Sequence, residues 1–122
     1  MLEQARDAPE VAGIKVFTGR ADGLEAADMR ELADALRGAL GSGVAVLGRA
    51  AEGKASLLVA VTKDLTGRVR AGDLVRTLGK IIGGGGGGRP DLAEAGGKDP
   101  ARLDEALAQA AGEVERCLEG SG

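Results

Sequence analysis

Apolar residues recur along this chain in two rhythms. Ile14-Lys15-Val16-Phe17 alternates apolar and polar, the period of a strand with one buried face. Met29, Leu32, Leu36 and Leu40 then follow helical spacing, with Asp28, Glu31, Asp34 and Arg37 off that face. Asp22, with Glu25 three residues on, predicts the start of this helix as a capping box, and Gly41 predicts its end. Val44–Leu47 and Leu57–Val61 are continuous apolar runs, short enough to be strands buried on both faces. Ala51-Glu52-Gly53-Lys54 between them predicts a hairpin. After the polar segment Lys63–Arg70, residues Leu74, Val75, Leu78, Ile81 and Ile82 predict a helix over about 72–82, with Arg76 and Lys80 on its solvent side. Asp99 as N-cap and Pro100 in the first turn open a last helix, striped by Leu103, Leu107, Ala110, Val114 and Leu118. The order β-α-β-β-α-glycine loop-α predicts an α/β (α+β) domain. Its small sheet has three to four strands covered by about three helices, and the two apolar strands require helices on both faces.

Between the last two helices stands Gly83-Gly84-Gly85-Gly86-Gly87-Gly88-Arg89-Pro90. Ordering glycine costs more backbone entropy than ordering any other residue, so six in a row need a reason. A flexible linker is one, but neither flank is long enough to build its own core. The run reads as a working loop of one domain over residues 13–122, where backbone approaches something closer than side chains would permit. Some of its glycines serve packing within the domain under either reading. Residues 1–12, broken by Pro9, carry little apolar pattern and read as a lead-in to that domain.

Composition narrows the chemistry. The 122 residues include one aromatic residue, Phe17, one cysteine, Cys117, and no histidine. The commonest metal ligand and general base is therefore missing, no disulfide framework is possible, and catalysis by this chain alone is not expected. No cofactor is expected either. Cys117 lies at the edge of the last apolar stripe and reads as a packing residue. No apolar run can span a bilayer and no leader opens the chain, so a cytoplasmic protein without membrane contact is expected. The net charge of −3 hides an asymmetry: residues 49–98 carry +4, while the flanks carry −3 and −4. Positive charge gathered around the glycine run suggests a side that faces a polyanion.

The glycine run fits two nucleotide motifs only formally. G-x-G-x-x-G must follow a strand and open a helix, whereas this run follows a helix; a Walker A loop needs Lys and Ser/Thr where Arg89 and Pro90 stand. What remains is exposed backbone N–H, a surface without side chains, and the cations Lys63, Arg76, Lys80, Arg89 and Lys98 nearby. That equipment suits a nucleic-acid backbone or a flat base-pair face. With almost no aromatics to stack on splayed bases, folded RNA is the expected target. Gly83, Gly84, Gly85, Gly86, Gly87, Gly88 and Arg89 would form the contact. A valine at the tip, Gly86, is then expected to harm RNA binding more than folding.

The same residues resemble a family. Gly83–Gly88 followed by Arg-Pro-Asp-Leu-Ala-Glu-Ala-Gly-Gly-Lys-Asp-Pro, with Leu103-Asp104-Glu105-Ala106-Leu107, resembles the C-terminal domain of alanyl-tRNA synthetases. Leu40-Gly41-Ser42-Gly43-Val44, Val61-Thr62-Lys63-Asp64-Leu65-Thr66 and Ala71-Gly72-Asp73-Leu74 support it, so the likeness runs from about Gly13 to Leu118. A related domain closes the DHH phosphoesterases, where the glycine run is usually shorter and followed by histidine; Arg89-Pro90 favours the synthetase. The resemblance implies a non-catalytic module, a fragment of an alanine-tRNA ligase tethered behind its editing domain by a helical arm. Residues 1–12 would be the end of that arm. Its implied partners are the rest of the synthetase and alanine-specific tRNA, held at the elbow so that aminoacylation and editing work on one bound molecule. Two alternatives stay open: the substrate-binding domain of a DHH phosphoesterase gripping single-stranded nucleic acid, and a structural or dimerisation module. In isolation a monomer or weak dimer is expected.

Overall fold

Six strands, rather than three or four, form one sheet in the order β1-β2-β3-β4-β6-β5. The computed structural model describes residues 2–5 and 7–121. In chain order the elements are α1 (Leu2–Ala5), β1 (Glu10–Val11), β2 (Ile14–Arg20), α2 (Ala26–Leu40), β3 (Gly43–Ala51), β4 (Lys54–Val61), α3 (Ala71–Ile81), β5 (Gly84–Gly88), β6 (Leu92–Gly97) and α4 (Leu103–Ser121). Short 3-10 turns span Lys63–Leu65 and Pro100–Arg102. The α+β class holds, but the expected strand count and order do not. The expected loop after α3 is an antiparallel pair, β5 with β6, and β1 adds a short edge on the other side.

The missing strands escaped a reading based on apolar spacing for a plain reason. β5 has no side chains at all, β6 reads Leu-Ala-Glu-Ala-Gly-Gly, and β1 has two residues. The central strands were legible because burial wrote them. β2 and β3 pair in parallel, joined by the α2 crossover, and all other pairs are antiparallel. The β3–β4 hairpin turns on Glu52 and Gly53 at φ of 53° and 77°, the left-handed pair that a two-residue turn of matching twist requires.

Each face of the sheet carries its own core. Val16, Val44, Val46, Leu57, Val59 and Val61 pack with Leu74 and Leu78 of α3 and with Leu103, Leu107 and Val114 of α4. On the other face Phe17, Leu47, Leu58 and Ala60 meet Met29, Leu36 and Leu40 of α2, with Ala5 and Ala8 buried beside them. Each such leucine stabilises the fold by about 1.5–3 kcal/mol through removal from water.

Helix starts depart from the expected caps. Asp22 does not cap α2, which begins after Glu25 without a side-chain cap; its carboxylate instead accepts the Ala50 N–H at 3.0 Å and pairs with Arg20. Asp99 does stand at the N-cap with Pro100 in the first turn, but that turn is a 3-10 turn leading into α4 and the Asp99 side chain makes no cap bond. Helix α3 does follow the predicted span and lies against β5 at backbone range. A Cβ added at Gly72 would stand 3.2 Å from the Gly88 carbonyl oxygen, and one at Gly79 3.3 Å from the Gly85 Cα.

Candidate nucleic-acid interface

Strand β5 is the outermost strand, hydrogen-bonded to β6 alone and exposed along its length. Its glycines divide by alternation. An added Cβ at Gly84 would penetrate the Gly96 carbonyl oxygen; at Gly86 it would come 2.1 Å from the Glu94 carbonyl oxygen and 2.5 Å from the Ala95 Cα. At Gly88 it would lie 2.7 Å from the Ala93 Cα. These three are glycine because the partner backbone occupies the side-chain position. At Gly85 and Gly87, and at Gly96 on β6, an added Cβ meets nothing within 4 Å. None of those three has a left-handed φ, so neither packing nor conformation demands glycine there. Their openness leaves a bare strip of backbone on the face that α2 covers elsewhere. Gly86 is thus an inward position at ordinary φ, and the expectation that a valine there harms RNA binding more than folding is corrected: the side chain would collide with β6.

The five cations take up three places. Arg89 follows β5, with its side chain 72% exposed and the Asp91 carboxylate at 3.6 Å. Lys63, on the 3-10 turn after β4, lies near the same end, lining a cavity of ≈ 480 Å³ with Arg37 and Asp91. Asp91 is anchored there: its carbonyl oxygen accepts from Arg37 Nη1 at 3.1 Å and from the Val61 N–H at 2.9 Å. At the opposite end of β5, Lys98 is exposed just past β6, and Lys80 stands in the last turn of α3, where its carbonyl accepts the Gly83 N–H. Arg76 is on the solvent side of α3, 64% exposed and 3.6 Å from Asp73, apart from the bare strip.

The structure adds a residue that the sequence left unmarked. Ala55 pairs with Gly97 and Ser56 with Gly96, so the start of β4, with Lys54 at its first position, lies alongside the end of β6. Lys54, Ser56 and Lys98 line one groove of ≈ 330 Å³ whose floor is Gly83, Gly84, Gly96 and Gly97. Nothing in local sequence flags Lys54; only the β4–β6 register brings it to the glycine surface. Glu94, the one carboxylate on this part of β6, is held by Arg30 of α2 through two hydrogen bonds of 3.1 and 2.9 Å.

Among the described residues no group of three or more His, Cys, Asp or Glu could hold a metal ion. Cys117 packs against the α3–α4 core, and burial, then the nearby Asp73 carboxylate, pushes its thiol pKa up, away from nucleophilic chemistry. No helix among the described residues is long and apolar enough to cross a membrane. What the surface offers is backbone, hydroxyl and positive charge, the donors that meet an anionic polymer.

A six-stranded α+β sheet edged by a bare glycine strand defines the class, and the chain belongs to the DHHA1 domain family, which matches residues 13–116. Within it the likeness is to alanyl-tRNA synthetases. The alanine–tRNA ligase of Anaeromyxobacter dehalogenans is 53% identical over 111 residues, covering 91% of this chain and 12% of the relative. That of Solibacter usitatus is 50% identical over 112 residues, covering 92% and 13%. The chain therefore spans about an eighth of the length of these relatives. The crystal structure of the C-Ala domain from Aquifex aeolicus alanyl-tRNA synthetase superposes with a TM-score of 0.82 at 31% identity, covering 88% of this chain and 96% of that one. The resemblance read from the glycine run and its flanks is thereby shown.

Proposed function

We propose that this chain is the tRNA-binding module of an alanine–tRNA ligase, laying the open side of β5 against the elbow of the folded tRNA. The carrying observation is the bare strip itself: Gly85, Gly87 and Gly96 present backbone to solvent where the fold would admit a side chain. At about 3.4 Å per residue, the strand is long enough to underlie a base-pair face. Arg89 and Lys63 at one end, with Lys98 and Lys80 at the other, are exposed, which supports their meeting phosphates that flank such a face. Phe17 is buried, so no aromatic ring is free to stack on a single-stranded base, which favours folded RNA over a single-stranded ligand. Acting without its own catalytic group or cofactor, the module keeps tRNA engaged while aminoacylation and editing proceed elsewhere in a cytoplasmic synthetase. In isolation it is a monomer or weak dimer, which light scattering at micromolar concentration checks.

Gly87→Val tests the reading. The branched side chain enters open space, so the melting temperature should stay near that of the parent. Affinity for a folded tRNA transcript should fall about ten-fold or more, because the side chain holds the backbone off a flat face. Equal affinity of the variant and the parent, or tighter binding of a single-stranded oligonucleotide than of tRNA, would overturn it.

A further inference from the structure

Lys54 and Lys98 each lie one residue beyond the last β4–β6 pair, Ala55 with Gly97, and both line the same groove. No carboxylate lines the groove that Lys54 and Lys98 share, and neither lysine has an ion-pair partner among the described residues. Ser56, paired with Gly96, lines the same groove with a hydroxyl donor. The floor beneath is Gly96, where an added Cβ would meet nothing, so an anion can settle on the backbone itself. The groove thus gathers positive charge from two lysines with no carboxylate in its lining, and an anion between them neutralises it.

We propose that Lys54 and Lys98 together clamp one RNA phosphate above Gly96, with Ser56 donating a hydrogen bond to it. This rests on the tRNA-binding reading and adds to it a positioned phosphate and a direction for the RNA strand. Two cations that share one groove converge on a single phosphate rather than on two separate ones. The direction follows from the adjacent cleft of ≈ 550 Å³, which shares Lys54 and Ser56 but is also lined by three carboxylates, Asp22, Glu25 and Glu52, against one further cation, Arg49. Those carboxylates repel a phosphodiester chain, so the strand leaves the clamp across Gly85 and Gly87 towards Arg89.

The test is a salt series of tRNA binding by the 122-residue chain, comparing Lys54→Gln/Lys98→Gln with Lys15→Gln/Arg116→Gln, which removes equal charge from β2 and α4. The clamp variant should bind about ten-fold more weakly at low salt, and its log–log salt slope should fall by about one, the value for one lost phosphate contact. Each single clamp variant should already show most of the loss, because the two share one anion. The control pair should keep the parent slope. A clamp variant with the parent slope, or with the same loss as the control, overturns the clamp; if Gly87→Val still weakens binding, the broader reading survives it. A parent chain that fails to bind tRNA overturns both.

Discussion

Strand β4 carries Leu57, Leu58, Val59, Ala60 and Val61, all buried between the two cores; strand β5, separated from it only by β6, carries five glycines, all exposed. β4 is ordered by what its side chains remove from water. β5 has nothing to remove. It is ordered because β6 supplies a hydrogen-bond ladder and α3 supplies a surface that only backbone can approach, with Gly72 and Gly79 meeting Gly88 and Gly85. One strand spends its sequence on stability and leaves no surface; the other accepts the full entropic penalty of glycine and leaves a surface free of side chains. A surface built on a sheet edge in this way is free of side chains and held in place by one ladder and one helix.

The comparison breaks hardest at β4. Leu58→Ala opens a cavity between the sheet and α2, and should lower the unfolding free energy by about 2–5 kcal/mol in urea. A loss under 1 kcal/mol would mean that this face is not the packed layer described. Next comes the division within β5. Gly86→Val drives a side chain into the β6 backbone and should lower stability by about 1–3 kcal/mol, with early exchange of the β5 and β6 amides. Gly85→Val, one residue away on the open side, should stay within about 0.5 kcal/mol of the parent. Equal behaviour of the two variants would remove the inward and outward alternation on which the bare strip depends.

The smallest effect lies away from both strands. Asp22 is held below the usual carboxylate range by the Ala50 N–H and then by Arg20. A carboxylate depressed in the folded state contributes stability above its unfolded pKa, and loses it as the pH falls through the folded value. Asp22→Asn keeps an acceptor for Ala50 but drops the charge, so it should be slightly less stable than the parent at neutral pH. The difference should close as the pH falls below about 4. Since Asp22 is exposed, solvent keeps the effect modest, and a gap that widened in acid would reverse the assignment.

Much of this molecule was legible along the chain. Alternation at Ile14–Phe17, the double-sided runs at Val44–Leu47 and Leu57–Val61, and the helical stripes of α2, α3 and α4 all mark burial, and burial is what side-chain type records. The Glu52-Gly53 turn and the identity of the family were equally local, the first carried by left-handed φ and the second by an unbroken glycine motif with its flanks.

What the chain could not show is whatever depends on a neighbouring backbone. A run of glycine has no period, so whether Gly84–Gly88 is a loop or a strand is decided by β6, and which of its glycines face outward is decided by register. The cap at Asp22 failed for a similar reason, since a carboxylate takes the donor that the fold delivers, and here that donor came from β3. Lys54 reached the glycine surface only because antiparallel pairing set Ala55 against Gly97. Side-chain chemistry determined the cores, and therefore most of the fold. Cross-strand geometry, which no single segment contains, assembled the bare glycine surface at the sheet edge.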